Sequence, residues 1–149
     1  MDRFAVRLSL GYVSPEVEVS IISAQEQRHP LEQISACVTT QDMLYLKQCV
    51  KNIRVSPELK RYVVDIVAAT RGAPAVQLGA GPRASLALTH LAQALALIDG
   101  DEFVTPEHIR EMAVPVLAHR LVLDPQAKFA GVTTPSVVEN ILMAARVPA

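Results

Sequence analysis

Residues 79–85 read Gly79-Ala80-Gly81-Pro82-Arg83-Ala84-Ser85, and they open a long apolar run. Two glycines and a proline end one segment and begin the next. Pro82 suits the first position of a helix, where a missing N–H costs nothing. Arg83 then falls in the first turn. There the unpaired N–H groups and the helix dipole favour an anion, so an arginine works against the helix taken alone. Its presence makes sense if something negative, such as a phosphate, docks there. The plainer reading is a surface arginine after a turn, the usual setting of a charge.

The helix that follows, from Pro82 to about Asp99, is apolar nearly all round, with Leu86, Leu88, Leu91, Leu95, Leu97 and Ile98. That pattern predicts a centrally buried helix, with Leu91 midway along it. Thr105-Pro106-Glu107 starts another, with Ile109, Met112, Val116 and Leu117 inward and Pro115 placed to kink or split it. Thr134-Pro135 starts the last, with Val138, Ile141 and Leu142 on its apolar face. Upstream, Ser14-Pro15-Glu16 and Ser56-Pro57-Glu58 carry the same start signal of cap, proline and first-turn acid. Val17, Ile21 and Ala24 follow the first, up to about His29. Leu59, Tyr62, Val63, Ile66 and Val67 follow the second, which Gly72 stops. Between them Thr39 or Thr40 caps a helix with Met43, Leu46, Val50 and Ile53 at helical spacing. The recurring Ser/Thr-Pro starts are irregularly spaced and make no repeat. Phe4, Val6, Leu8 and Leu10 alternate with Ala5, Arg7 and Ser9, which is strand periodicity. The expectation is therefore all-α: a bundle of about six helices preceded by one orphan strand. A strand without a sheet should be poorly anchored, or should pair with another chain.

The composition agrees. In 149 residues half are hydrophobic, with no tryptophan, three phenylalanines and three tyrosines, so the core is aliphatic and suits helices packed on helices. The formal net charge of −1 argues against nucleic acid as a partner and against a DNA-binding helical module. Cys37 and Cys49 are too few for a disulfide framework and lack zinc-ligand spacing, so a reduced, cytoplasmic setting is expected. No run approaches a membrane span, and Met1-Asp2-Arg3-Phe4 has no signal-peptide character.

Other chemistry finds little support. Ala96-Leu97-Ile98-Asp99-Gly100-Asp101-Glu102 imitates the apolar run plus Asp-Glu that holds magnesium in nucleotide hydrolases. Its Ala/Leu content is helical rather than strand-like, and Gly100 reads as a helix stop. His29, His90, His108 and His119 share no ligand spacing, and Pro115 separates the last two. Glu107 and Glu111 share a helix face that reads as solvated. Lys47, Lys51, Arg54, Lys60 and Arg61 read as a solvated basic face or a subunit contact. No serine, threonine or cysteine sits in a nucleophile motif. No glycine is followed by Lys-Ser or Lys-Thr, so the phosphate loop is absent and a triphosphate cannot be cradled by this chain alone.

The succession of motifs resembles the MoxR-type AAA+ ATPases. It runs through Asp2-Arg3-Phe4, Leu8-Ser9-Leu10-Gly11-Tyr12, Ser14-Pro15-Glu16, Val55-Ser56-Pro57-Glu58-Leu59, Ala69-Thr70-Arg71 and Leu78-Gly79-Ala80-Gly81-Pro82-Arg83-Ala84-Ser85. Thr105-Pro106-Glu107 and Pro115-Val116-Leu117-Ala118-His119-Arg120-Leu121 complete it. The resemblance implies that residues 1–12 are the end of an ATPase core, with its arginine-finger box and last strand. It implies that residues 13–149 are the helical lid. Arg83 matches the second sensor arginine, which contacts the γ-phosphate of ATP. Arg3 matches the finger that reaches the ATP of a neighbouring subunit. Three helices precede Arg83 where a minimal lid has two. The extra one resembles an insertion that can swing the lid, so action of Arg83 in cis and in trans both stay open. Gly81 stands where the family commonly has serine, which weakens the helix cap and leaves the arginine match intact.

What the resemblance implies is a lid that senses ATP and couples its hydrolysis to chaperone-like remodelling of client proteins. ATP and magnesium would belong to the full-length protein, with none bound by this piece. The partners would be the protein's own ATPase core, neighbouring subunits of a ring, commonly a hexamer, and an unidentified client. The alternative is a stand-alone helical adaptor for other proteins, without nucleotide chemistry.

Overall fold

The computed structural model describes residues 3–26 and 29–148. Among these, seven α-helices and two very short strands follow one another. They are α1 (Pro15–Gln25), α2 (Thr40–Asn52), α3 (Pro57–Gly72), β1 (Val76–Leu78), α4 (Pro82–Asp99), α5 (Pro106–Leu117), β2 (Val122–Leu123), α6 (Pro125–Phe129) and α7 (Thr134–Ala144). The expected all-α fold is what forms. The start signals hold: Ser14, Ser56 and Thr133 accept backbone N–H groups with their hydroxyls at the heads of α1, α3 and α7. At α2 the cap is Thr39, whose hydroxyl and amide both meet Asp42. The cap of α7 is thus Thr133, one residue before the expected Thr134, and α1 stops at Gln25 rather than near His29.

Two compact units divide the chain. One comprises residues 1–7 and 47–149, the other Leu8–Leu46. In the first unit α3, α4, α5 and α7 enclose the core. Leu59, Tyr62, Val63, Ile66 and Val67 of α3 are buried, as their spacing predicts. Ile109, Ala113, Val116 and Leu117 of α5 and Val137, Val138 and Leu142 of α7 face them. On α4 the buried stripe is Ala84, Leu88, Ala92 and Ala96, four apart, so small side chains let α5 approach closely. Leu91 is half-buried, and Leu86 and Ile98 are exposed. The helix is therefore buried along one seam rather than all round. Polar ties lock the packing. Arg110 donates to the Leu142 carbonyl at 2.9 Å and to the Tyr62 hydroxyl at 3.4 Å. Gln93 Nε2 donates to the Ile53 carbonyl at 2.7 Å.

In the second unit, α1, a 3₁₀ turn at Pro30–Gln33 and the start of α2 form, and every described residue is exposed. The apolar positions of α1 expected to face a core, Val17, Ile21 and Ala24, are among them.

Three expectations need correction. No strand forms at residues 4–10, because no partner strand lies beside them. That segment is not loose throughout either: Arg7 N–H donates to the Pro115 carbonyl at 3.0 Å. Asp2 lies outside the described residues. The strands that do form are β1 and β2, an antiparallel pair with Val76 opposite Leu123 and Leu78 opposite Val122. At three and two residues they are too short for periodicity to reveal. Pro115 does not split α5, which runs through it to Leu117. The chain then tightens into a 3₁₀ turn at Ala118–Arg120. The proline removes one intrahelical bond, the one its N–H would make to the carbonyl of residue 111, and α5 carries that single loss in its last turn.

Candidate functional site

The site that the sequence singles out is the turn between β1 and α4. Its shape comes from the end of α3. Thr70, wholly buried, donates its hydroxyl to the Val67 carbonyl at 2.6 Å and accepts the Ala80 N–H at 2.9 Å. Arg71 donates through Nε to the Ala80 carbonyl at 2.9 Å. Both polar groups of residue 80 are thus satisfied by consecutive side chains of one helix. Gly79 lies against that helix so closely that a Cβ would stand 2.7 Å from Arg71 Cα and 2.8 Å from Thr70 C. Only glycine allows this approach. The Ala-Thr-Arg triplet at 69–71 is therefore a clamp for the turn, a role that its position in the sequence, nine residues away, does not announce.

Held in this way, the turn enters α4 with Gly81 as N-cap, extended at φ −89° and ψ 178°, and with Pro82 at the helix start. No side chain caps it, and no acid lies in the first turn. Arg83 stands there, exposed, with no hydrogen-bond or ion-pair partner among the described residues. The turn thus offers one free guanidinium at a helix start that no side chain caps, where Pro82 has no N–H and the Ala84 N–H bonds to the Gly81 carbonyl at 2.9 Å, leaving that of Arg83. That arrangement suits an anionic ligand with several oxygens.

Arg3, the other candidate, is also exposed. The segment that carries it is gripped just downstream. Arg120, 8% exposed, donates to the carbonyls of Phe4 at 2.6 Å and Ala5 at 3.2 Å, and also to that of Val116. His119 Nε2 lies 3.1 Å from the Phe4 oxygen and Nδ1 3.0 Å from that of Pro115. Sequence reading weighed His119 as a metal ligand and had Arg120 only as a letter in a motif; their partners Phe4 and Ala5 lie more than a hundred residues away in the chain.

The remaining suspects resolve into structural roles. Ala96–Asp99 closes α4, and Gly100 adopts the left-handed conformation at φ 85°, with Asp101 N–H returning to the Ala96 carbonyl at 2.8 Å. Asp99 and Asp101 face His108 Nε2 at 3.3 and 3.5 Å. His108 Nδ1 accepts the Thr105 N–H at 3.0 Å, so it caps α5 and joins it to the end of α4. No group of three or more metal-ligating side chains converges among the described residues. Lys47, Lys51, Arg54, Lys60 and Arg61 are all exposed; Arg54 pairs with Glu102 at 3.7 Å and Arg61 with Asp65 at 2.8 Å. Among the described residues no helix is long and apolar enough to cross a membrane.

Known proteins resemble this chain in sequence and in fold. Residues 68–141 match the family described as the AAA lid domain. The uncharacterized protein YeaC of Bacillus subtilis is 40% identical over 148 residues, 99% of this chain and 46% of that protein. The chaperone MoxR1 of Mycobacterium tuberculosis is 35% identical over 99% of this chain and 41% of its own length. A crystal structure of a presumed ATPase from Cytophaga hutchinsonii superposes with a TM-score of 0.87 at 27% identity, over 99% of this chain and 48% of the other. The chain spans less than half the length of each of these relatives.

Proposed function

This chain belongs to the MoxR-family AAA+ ATPases, whose lid domain it carries, and on that footing we propose that it senses bound ATP through Arg83 and reaches a neighbouring subunit's ATP through Arg3. The observation that carries the proposal is the clamped turn. Thr70, Arg71 and Gly79 fix the entry to α4, and the guanidinium presented there is exposed and has no described partner. A sensor needs such a charge, unsatisfied by protein and set on a rigid body, because a flexible cation reports nothing about where its ligand sits.

The chemistry of these residues is limited to phosphate. Bound nucleotide would supply the γ-phosphoryl group and magnesium its counter-charge. Arg83 would bind a terminal phosphate oxygen, and Arg3 would neutralise charge developing at a neighbour's phosphoryl group. Neither arginine replaces the missing phosphate loop, so the triphosphate itself would be held by another part of a longer ATPase. Movement of α4 with the nucleotide would then be passed through the packed seam to α5 and the rest of the core. Chaperone-like work on a client protein, in a ring of subunits in the cytoplasm, is the use to which we infer this movement is put. The relative named a chaperone supports that reading.

Hydrolysis by the full-length ATPase tests the two roles. Arg3→Ala is expected to lower the rate by a factor on the order of 10³–10⁵, the usual loss for a finger, while ATP binding stays largely in place. Mixing that variant with subunits unable to bind ATP should restore part of the activity, since each supplies what the other lacks. Arg83→Ala should weaken hydrolysis and the nucleotide-dependent movement of the lid together. Calorimetry on residues 1–149 should show little ATP affinity. Micromolar binding there would mean a nucleotide pocket that this reading does not contain.

A further inference from the structure

We propose that Arg120 is a positioning residue for Arg3, tying the segment that carries it to the end of α5 in the same chain. The inference rests on reading Arg3 as the arginine finger. It begins from a mismatch between side chains and backbone at residues 3–7. Arg3, Phe4, Ala5 and Arg7 are exposed and Val6 is half-buried, Phe4 to the extent of 70%. Apolar burial therefore does little to hold this segment. Yet its backbone makes three kinds of polar contact with one short stretch: Arg120 to the Phe4 and Ala5 carbonyls, His119 to the Phe4 carbonyl, and Arg7 N–H to the Pro115 carbonyl.

The choice of residue follows from what each can donate. A neutral imidazole has one N–H, and both ring nitrogens of His119 face carbonyl oxygens, so it ties one of them at a time. The guanidinium of Arg120 donates through a rigid fork whatever the pH, and it is anchored in the core by its bond to Val116. Two of the backbone carbonyls it holds, those of Phe4 and Ala5, lie within two residues of Arg3. A finger is useful only if its arginine is held at a fixed reach, and an exposed segment cannot do this for itself. Movement of α5 with the lid would carry the finger with it, linking the two arginines of one subunit.

The test uses Arg120→Lys, which keeps the charge but loses the fork, and two readouts. The first is amide exchange in residues 1–149. The Arg7 amide should exchange at least tenfold faster than in the native chain, while Leu88 and Ala92 amides in α4 keep their protection. If Arg7 keeps its protection, or if α4 loses protection in step, the tether is wrong. Should Arg120→Lys fail to fold, Arg120→Gln serves in its place: it keeps an N–H donor but loses the fork, it should accelerate Arg7 exchange while α4 stays protected, and no acceleration overturns the proposal. The second is turnover by the full-length ATPase. Arg120→Lys should lower kcat at least tenfold with ATP affinity unchanged, and adding it to Arg3→Ala should cause no further loss. If Arg3→Ala abolishes turnover while Arg120→Lys leaves it intact, the positioning role fails and the finger stands. If Arg3→Ala is harmless, the finger reading fails and takes the positioning role with it, whatever the exchange data show about the tether.

Discussion

Thr70 and Gly79 show how much one residue decides in the turn before Arg83. Thr70 cannot be replaced by a side chain of equal shape without a polar cost. In Thr70→Val the Ala80 N–H keeps its buried place and loses its acceptor. Such an orphaned donor costs about 1–3 kcal/mol, which a denaturant titration would resolve. Gly79→Ala should cost a similar amount, about 1–3 kcal/mol, because the added methyl meets backbone rather than a side chain that could rotate away. Gly81 behaves oppositely. Nothing stands within 4 Å of its Cβ position, and its backbone is already that of an N-cap. Gly81→Ser should therefore stabilise by a few tenths of a kcal/mol. A loss instead would mean that the Arg83 N–H, like that of Ala84, is already satisfied. These two glycines, two residues apart, look alike in the sequence. Only the approach of α3 separates the one that must stay from the one that can change.

The helices were the readable part of this protein, because each carries its own punctuation. Ser14, Ser56, Thr105 and the prolines after them mark starts whatever surrounds them. Periodicity then picked out the buried face of α3 residue by residue. It failed on α4, where almost every position is apolar and no face stands out. There the neighbours decide, and the seam falls on three alanines and Leu88. Leu88→Ala should cost about 2–5 kcal/mol, the usual range for a buried leucine, and Leu91→Ala distinctly less. Equal losses in thermal melts would contradict the single seam. The same start signals set a pH dependence. Hydrogen bonds hold Asp42 (from Thr39), Glu16 (from Ser14 and its own N–H), and Glu58 and Glu107 (from their own N–H groups, then Ser56 and Thr105) below the ordinary carboxylate range. A lowered folded value means stability that is present above the unfolded pKa, near ~4, and lost as pH falls through the folded one. Melting temperature should accordingly drop with acidification below pH ~4, and Glu58→Gln should make that drop shallower. The site itself was legible only in part. Arg83 announced itself by an unfavourable charge at a helix start. The residues that hold the two arginines in place, Thr70, Arg71 and Arg120, act across gaps in sequence that no local pattern spans.

At the scale of the whole chain, stability is unevenly divided. Residues 47–149 supply every buried side chain described, including the nine largest that are fully enclosed. Leu8–Leu46 supplies none, although α1 carries Val17, Val19, Ile21 and Ile22 and looked from its spacing like a core helix. Periodicity reports that a helix has an apolar side; it cannot report whether anything covers that side. An isolated helix of α1's length is marginal in water, and a helix gains its stability chiefly from packing. Opening of this unit should therefore require little free energy, while α3, α4 and α5 open only with global unfolding. Limited proteolysis should cut first between Leu8 and Leu46 and leave a resistant product beginning near Lys47. Amides of α1 should exchange orders of magnitude faster than those of Ile66, Leu88 and Ile109. In that resistant product the clamp of Thr70 and Arg71 on Ala80 should survive, since all of its atoms lie within it. The hold of Arg120 on Phe4 should be lost, because the cut releases residues 3–7 from the covalent chain and leaves only a few hydrogen bonds to retain them. If α1 proves as protected as α4 in a monomer, buried surface is not what sets the order of opening here, and the division of the chain into a stable body and a bare helical segment is wrong.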